Sequence, residues 1–264
     1  MLERAPGIYE VELFSNQKSI SEIKIFLIPG RDGGRSLMVD AGFRKQQCLE
    51  SMEEALASLG ITYDKLDIFL THKHHDHCGL ASVYAQRGAR LFMNPQEDRH
   101  CYDCLYYNHS HGSTEDQPQV LQSVGVTEDG TPEIWNMFME VNQRIRENRG
   151  WEFEIPGYPY TPVSEGRILS YGDYDLETVG LKGHTYGQMG LYDRNHKILF
   201  CADQVIDGIV PIVGTTYPDE HLLKGYFDSL EKLKHQYVDC LILPAHKEPI
   251  RDVKRVVDRI VFAY

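Results

Sequence analysis

The sequence predicts a layered α/β fold formed by a single domain. Short apolar runs typical of strands are interspersed with segments whose apolar residues recur at helical spacing, and this mixture indicates sheets covered by helices. The chain has 264 residues, of which 42% are hydrophobic, and it contains 22 glycines. A chain of this size and composition can bury a substantial core in one α/β domain.

The first strands and the first helix follow from periodicity. Residues 8–13 alternate between apolar and polar side chains, as a half-buried strand does. Residues 23–28 and 36–39 give the next two strands, on either side of a turn rich in proline and glycine. Apolar side chains then recur at helical spacing over residues 48–59, and a glycine ends that helix.

The following elements surround a histidine-rich segment. Residues 66–70 form a short buried strand that leads into this segment, and a helix is expected at about residues 76–86. A strand at residues 90–93 comes next. Strands and helices alternate again from Ile168 to the C terminus, so the layered pattern resumes in the second half of the chain.

The most informative segment has the sequence THKHHDHCG at residues 71–79. A spacing of two residues puts the rings of His72 and His74 on one side of an extended backbone. Asp76 and His77 follow where the chain turns toward a helix. Because a single zinc ion needs only three protein ligands plus water, four candidates here and more downstream suggest two metal ions.

Three further candidate ligands each follow an apolar run. They are His184 after residues 174–181, Asp203 after residues 198–202 and His246 after residues 240–245. Side chains at the ends of separate strands can converge on one pocket. Their order along the chain therefore strengthens the case for a metal site.

Together these residues resemble the metallo-β-lactamase-fold superfamily of metal-dependent hydrolases, with the ligand set of its glyoxalase-II-like and lactonase-like members. The matching ligands are His72, His74, Asp76 and His77 for HxHxDH, His184 for GHTxG, the single Asp203 and the last histidine, His246. Asp40 after an early strand and the helical segment 226–233 match further features. The resemblance covers the chain except about residues 95–162.

The resemblance implies both a fold and a ligand arrangement. The fold would be a four-layer αββα sandwich with a partly helical insertion. The implied first site uses His72, His74 and His184, the second uses Asp76, His77 and His246, and Asp203 bridges them. Asp40 would support the ligands through hydrogen bonds rather than bind a metal itself.

The donor atoms favour two divalent metal ions. Nitrogen and oxygen ligands suit zinc, which we expect first, and also iron or manganese. A bridged pair lowers the pKa of a shared water toward about 7. Asp76 is predicted to be catalytic, orienting the hydroxide and relaying a proton. Tyr186 and Tyr217 are candidate contacts to a substrate oxyanion, although packing is the commoner role for tyrosines.

We therefore predict that the protein is an enzyme, a dinuclear metal-dependent hydrolase. Its substrate would be a small carbonyl compound (an ester, thioester or lactone), and its nucleophile would be a metal-bridging hydroxide. Lactam hydrolysis is disfavoured because Asp76 stands where the best-known zinc β-lactamases carry cysteine. The same ligands can hold iron, so iron-dependent oxygen or sulfur redox chemistry on this fold is the alternative. A metal-containing binding protein with little turnover is the third option.

Composition and charge limit the partners. The formal net charge is −12 and the pI is about 5.4, which argues against nucleic acid because that binding needs a basic surface. No apolar run approaches the roughly 18 residues of a membrane helix. The N terminus lacks the apolar core of a signal peptide, so we expect a cytoplasmic protein that binds a small-molecule substrate. The oligomeric state stays open, with a homodimer among the options.

The segment at about residues 95–162 is longer than the fold requires. It contains an amphipathic helix at residues 132–148 and a tyrosine- and proline-rich exit, so we expect an ordered cap that sets substrate choice. Cys101 and Cys104, with histidines nearby, have zinc-ligand spacing. A single CxxC is a weak signal, and a solvated loop, which requires no metal, is the favoured explanation. The apolar surroundings of Cys48, Cys201 and Cys240 indicate core packing.

Overall fold

A computed structural model describes residues 1–15, 22–97, 121–122, 125–147, 157–213 and 221–264. The chain separates into two compact units, one made of residues 1–100 and 157–264 and the other of residues 101–156. The larger unit contains the sheets and the seven histidine and aspartate ligands predicted above. Much of the predicted cap lies outside the described residues, so its role in substrate choice stays a prediction.

Seven strands of the described residues form the first sheet. They are β1 (Leu2–Ala5), β2 (Ile8–Phe14), β3 (Glu22–Ile28), β4 (Ser36–Val39), β5 (Leu66–Leu70), β6 (Arg90–Met93) and β7 (Thr161–Pro162). The strands pair in sequence order. Pairing is antiparallel from β1 to β4 and parallel from β4 to β7, so the carboxyl ends of the last four strands share one edge.

The second sheet is built from the later part of the chain. Its strands in the described residues are β8 (Ile168–Tyr171), β9 (Tyr174–Gly180), β10 (Met189–Asp193), β11 (Ile198–Ala202) and β12 (Leu241–Pro244). Their spatial order is β12–β11–β10–β9–β8. The only parallel pair in this described sheet is β11 with β12, so the carboxyl ends of these two strands lie side by side.

Helices connect and flank the sheets. Those in the described residues are α1 (Gln46–Ser58), α2 (His75–Cys78), α3 (Ala81–Gln86), α4 (Pro132–Glu147), α5 (Leu222–Gln236) and α6 (Val253–Ala263). Of these, α4 belongs to the smaller unit. Among the described residues, none of the helices combines the length and the apolar character needed to cross a bilayer.

The hydrophobic core between the two sheets draws on both. Leu37, Val39 and Phe69 from the first sheet and Leu191 and Phe200 from the second belong to one buried cluster. The alternation of side chains along each strand produces this layer, because every second residue faces the opposite sheet. The rings of Phe26 and Phe200 meet edge to face, with centroids 5.2 Å apart.

A second apolar layer lies on the outer face of the second sheet. There α5 and α6 bury one side of each helix against residues such as Leu199 and Ile242. On the first sheet, α1 packs against β2 and α3 against β6. Two stacked sheets with helices outside them confirm the predicted mixed α/β sandwich.

Most of the predicted elements are confirmed, but the helix expected at residues 76–86 is divided. It consists of α2 and α3, interrupted at Gly79 and Leu80. In a continuous helix the carbonyl of His77 would accept from Ala81, whereas here it accepts a 2.6 Å hydrogen bond from the backbone of Ala41. The break ties the histidine-rich segment to the end of β4.

Four cysteines lie in the described residues, and all are buried free thiols: Cys48, Cys78, Cys201 and Cys240. This confirms the packing role predicted for Cys48, Cys201 and Cys240. Cys101 and Cys104 lie outside the described residues, so their possible zinc site stays a hypothesis.

Replacement of Gly79 by alanine should destabilise the fold. An added Cβ would lie 2.4 Å from the backbone nitrogen of Arg44 and 2.5 Å from the carbonyl oxygen of His75. Overpacking of this kind costs about 1–3 kcal/mol of unfolding free energy, measurable as a lower midpoint in urea. The control is Gly157→Ala, whose added Cβ meets none of the described residues within 4 Å. Equal midpoints for the two variants would contradict this account of the loop.

Candidate metal centre

The carboxyl ends of strands from both sheets bring the predicted ligands together. His72 and His74 follow β5, and Asp76 and His77 lie on the short helix α2. The remaining ligands come from the second sheet: His184 from the segment between β9 and β10, Asp203 after β11 and His246 after β12. Their ligand atoms form three groups with internal separations of at most 4.8 Å, so histidine and aspartate clusters able to hold a divalent metal are present.

The first cluster consists of three ring nitrogens. Nδ1 of His74 lies 3.0 Å from Nε2 of His72 and 2.9 Å from Nε2 of His184. A tetrahedral zinc ion with bonds of about 2.0–2.1 Å separates its ligands by roughly 3.3 Å. The cluster therefore needs only a small expansion to accept such an ion.

In His72 and His184 the hydrogen bond made by Nδ1, the ring nitrogen that faces away from the cluster, determines whether Nε2 bears a lone pair. Nδ1 of His184 lies 2.8 Å from the carbonyl oxygen of Ile212, which only accepts, so Nδ1 carries the proton. Nδ1 of His72 lies 3.1 Å from Oγ1 of Thr71, whose hydroxyl donates to Asp40. The inward nitrogens of His72 and His184 therefore bear lone pairs, as metal ligands require.

The second cluster combines two imidazoles with a carboxylate. Oδ2 of Asp76 lies 3.4 Å from Nε2 of His246 and 3.7 Å from Nε2 of His77. Nδ1 of His246 donates to the carbonyl oxygen of Glu22 at 2.5 Å, which directs Nε2 inward. Nitrogen and oxygen donors in this combination suit zinc, iron and manganese.

Asp203 lies between the two clusters. Its Oδ2 is 3.5 Å from Nε2 of His184 in the first cluster. Its Oδ1 is 3.5 Å from Nε2 of His77 and 3.5 Å from Nε2 of His246 in the second. One carboxylate thus directs one oxygen to each group, which is the arrangement a bridging ligand needs.

Two buried atoms in the centre have unmet bonding capacity. Among the described residues, neither Nε2 of His77 nor Oδ1 of Asp203 has a hydrogen-bond partner, and both atoms are shielded from solvent. A buried polar atom without a partner costs about 1–3 kcal/mol. A cation between them would offset that cost, so the residues fit a metal.

Electrostatics in the second cluster favour positive charge. Burial lowers the pKa of His246, but the carboxylates of Asp203 and Asp76 outweigh burial and raise it to about 10. Burial likewise opposes charge on His77, yet Asp203, Asp40 and Asp76 raise its pKa well above the ordinary value. The carboxylates that favour a proton on these rings would equally favour a metal cation.

The first cluster is electrostatically different. Burial and, to a smaller extent, the neighbouring His184 together lower the pKa of His74 to about 3. Burial also lowers the pKa of His72 well below its ordinary value, with a further contribution from His77. These imidazoles are therefore neutral at physiological pH, which is the form that binds metals.

Asp40 supports the centre from outside the ligand set. It accepts a 2.8 Å hydrogen bond from Nδ1 of His77 and bonds of 2.8 and 2.9 Å from the backbone and hydroxyl of Thr71. Its Oδ2 thereby directs the Nε2 atom of His77 into the centre. These are the hydrogen bonds that the predicted supporting role of Asp40 would use, and the role itself stays a prediction.

Unusual backbone conformations accompany several ligands. Asp40, Ala202 and Lys247 have φ angles of +65°, +49° and +63°. Ala202 directly precedes Asp203 and Lys247 directly follows His246. Left-handed conformations at residues other than glycine cost free energy and cluster at functional sites, where surrounding contacts maintain them.

The other predicted site residues have different positions. His75 of the histidine-rich segment belongs to none of the three groups, and the centroid of its ring lies 6.0 Å from that of Phe43. The ammonium nitrogen of Lys182 lies 4.2 Å from the centroid of the Tyr186 ring. Contact between Tyr186 and a substrate stays a prediction. Tyr217 lies outside the described residues.

Sequence reasoning missed one residue beside the centre, Glu97. Its buried carboxylate accepts hydrogen bonds from Lys73 and from Thr185, which adjoin ligands on two separate segments. A lone glutamate after a strand carries no spacing signal. Its burial, which only the structure reveals, is the informative feature.

Comparison with known families gives one match over most of the chain. The family model described as Metallo-beta-lactamase superfamily matches residues 25–246. This range contains all seven of the converging ligands and both sheets apart from β1, β2 and the start of β3.

Two curated relatives are hydrolases by name. The chain is 23% identical over 205 residues to human acyl-coenzyme A thioesterase MBLAC2, covering 72% of this chain and 61% of that protein. It is 22% identical over 180 residues to the hydroxyacylglutathione hydrolase GloC of Haemophilus influenzae, covering 67% of this chain and 64% of that protein. The chain thus spans less than two thirds of the length of either relative.

Solved structures share the fold. The metallo-beta-lactamase family protein TTHA1429 from Thermus thermophilus aligns with a TM-score of 0.77 at 22% identity, over 98% of this chain and 79% of that one. A structure of TTHA1623 in a di-iron-bound form aligns with a TM-score of 0.57 at 18% identity, over 92% and 93% of the two chains. At these identities the likeness concerns the fold alone.

The supporting role of Asp40 can be tested by Asp40→Asn. Asparagine tolerates the left-handed backbone at this position, but its amide NH₂ would face a hydrogen-bond donor on His77 or Thr71. We expect zinc affinity to fall about 10–100-fold, measured by competition with a chromophoric chelator. The matched control is Asp193→Asn, a buried carboxylate that bonds His196 instead. Unchanged affinity in Asp40→Asn would rule out this role.

Proposed function

The chain belongs to the metallo-beta-lactamase superfamily, and from that membership we propose that it is a metal-dependent hydrolase that cleaves an acyl thioester. The observation that carries the proposal is the pair of donor clusters sharing Asp203. Both named relatives act on acyl derivatives of a thiol cofactor, coenzyme A or glutathione. Thioester hydrolysis is therefore favoured over the ester and lactone alternatives.

The proposed centre holds two divalent ions. His72, His74 and His184 would hold one ion, Asp76, His77 and His246 the other, and Asp203 would contact both. Zinc suits these donors, and iron or manganese would also be accepted. When bound, such a pair supplies an ionised water near neutral pH and positive charge opposite a developing oxyanion.

The protein's own groups would orient the reactants. Asp76 is ionised, because His77 and His246 outweigh the effect of burial and hold its pKa below the ordinary value. Its carboxylate would accept a hydrogen bond from the attacking water, take the proton and pass it on. The water oxygen bonds to the acyl carbon while the carbon–sulfur bond breaks, and the sulfur keeps that electron pair.

The leaving group explains why a dedicated acid is unnecessary. An ordinary thiol has a pKa near 8.5, so a thiolate is a good leaving group at neutral pH. Asp76 then needs only to return one proton to the thiolate or to solvent. An oxygen ester would expel a far more basic alkoxide and would place a greater demand on the same carboxylate.

A second candidate function uses iron. The donor set that suits zinc also holds iron, which keeps oxygen or sulfur redox chemistry open. Metal content after growth with zinc or iron, combined with oxygen uptake, distinguishes the two candidates. A third candidate, a binding protein with little turnover, would bind a small molecule tightly without consuming it.

The substrate class is tested with a panel of acyl-coenzyme A, S-acylglutathione, oxygen esters and lactones. We expect zinc- or manganese-dependent release of thiol. Asp203→Ala should lower kcat/KM at least about 100-fold, because removing a metal ligand should have a larger effect than removing a residue that only hydrogen-bonds a ligand. The control is Asp228→Ala, an exposed residue paired with Lys224 on α5. Iron-dependent oxygen uptake without thiol release would contradict the proposal.

A further inference from the structure

Glu97 is a buried carboxylate that joins two of the ligand-bearing segments. It lies shortly after β6 and its exposed fraction is 1%. Oε2 accepts a 2.9 Å hydrogen bond from the backbone nitrogen of Lys73. Oε1 accepts bonds of 2.8 Å from the hydroxyl of Thr185 and 2.6 Å from the backbone nitrogen of Gly187. One oxygen therefore serves each segment.

The bonded groups adjoin the first histidine cluster. Lys73 lies between His72 and His74, and Thr185 directly follows His184. Nδ1 of His74 and Nε2 of His184 are only 2.9 Å apart, so a small displacement of either segment would change their separation. The bonds to Glu97 thus act on backbone directly adjacent to the residues that carry the three nitrogens.

The segment around Glu97 fits closely against the segment that carries His184. A Cβ added at Gly187 would lie 2.9 Å from both Oε1 and the backbone nitrogen of Glu97. The side chain of Asn94 also donates a 2.8 Å hydrogen bond to the carbonyl oxygen of Gly187. Glycine at 187 therefore permits an approach that a larger residue would prevent.

Because the carboxylate of Glu97 is buried, it needs hydrogen-bond donors from both segments, and this need favours one arrangement of the two segments. Removing a carboxylate from water costs much free energy unless hydrogen-bond donors replace the water. Burial accordingly raises the pKa of Glu97, and the three donors from Thr185, Lys73 and Gly187 act against that rise. Displacing either segment would leave an oxygen of Glu97 without its donor.

We propose that Glu97 is a positioning residue that holds the segments carrying His72, His74 and His184 at the spacing required for the first metal ion. Its bonds go to the neighbours of these ligands rather than to the ligand nitrogens. A backbone bond of 2.9 Å from Met189 to Thr71 joins the same two segments at another point. The bonds to Glu97 and this backbone bond therefore hold the two segments together at separate points.

This inference rests on the proposed metal-dependent function and predicts an effect confined to one cluster. Glu97 bonds the segments on either side of the first cluster, whereas His246 in the second cluster is directed by the carbonyl of Glu22. Replacing Glu97 should therefore weaken the first site alone. A residue needed merely for folding would affect both sites.

The experiment measures zinc affinity in two single-site backgrounds, without substrate. His246→Ala leaves the first cluster complete, and His184→Ala leaves the second complete. Glu97→Ala is introduced into each, and zinc affinity is measured by competition with a chromophoric chelator. We expect a loss of about 10–100-fold in the His246→Ala background and no change in the His184→Ala background.

A milder variant and a matched control complete the design. Glu97→Gln keeps one acceptor oxygen but directs its NH₂ toward a donor of the other segment, so its loss of affinity should be intermediate. Asp67→Asn alters another buried carboxylate, bonded to Arg35, Arg90 and Tyr171 at the far end of β5. It should lower thermal stability without changing zinc affinity in either background.

The possible outcomes separate the proposals. Equal losses in both backgrounds, or none in either, would overturn the positioning role, and Glu97→Gln supplies the same comparison if Glu97→Ala fails to fold. A wild-type chain that binds no zinc would overturn both the positioning role and the proposed centre. A site-specific loss combined with no thioester hydrolysis would overturn the proposed reaction and leave the role of Glu97 standing.

Discussion

The central constraint in this molecule is the crowding of imidazole lone pairs in a buried space. His72 and His184 direct proton-free nitrogens toward Nδ1 of His74, with separations of 3.0 and 2.9 Å. Burial keeps these rings neutral, and Nδ1 of a neutral His74 can direct at most one proton toward the two lone pairs that face it. A cation relieves this conflict. The surrounding structure holds the three ring nitrogens at these short separations.

The two sheets provide that support. Parallel strands in the first sheet and the parallel pair β11–β12 in the second place their carboxyl ends where ligands from distant parts of the sequence meet. Asp40, the carbonyl of Ile212 and the carbonyl of Glu22 then set the orientation of individual rings. Left-handed backbone at Ala202 and Lys247 adds local free-energy cost, which the apolar layers on both faces of the second sheet offset.

The convergence of these candidate ligands could be predicted from the sequence because their chemistry is local and their order is informative. Histidines at alternate positions followed by Asp76 and His77 have few uses other than metal binding, and each remaining ligand follows an apolar run. The supporting contacts could not be predicted in this way. Glu97 is 88 residues from Thr185 along the chain, and the division between α2 and α3 depends on a hydrogen bond to Ala41. Both depend on tertiary contacts that leave no periodic pattern.

A crystal structure of zinc-loaded protein, with anomalous scattering recorded at the zinc edge, tests the central claim most directly. The account predicts two peaks in each chain, one among the ring nitrogens of His72, His74 and His184 and one beside Asp76, His77 and His246, with Asp203 between them. An absence of peaks at these side chains, or ordered zinc only elsewhere on the protein, would contradict it.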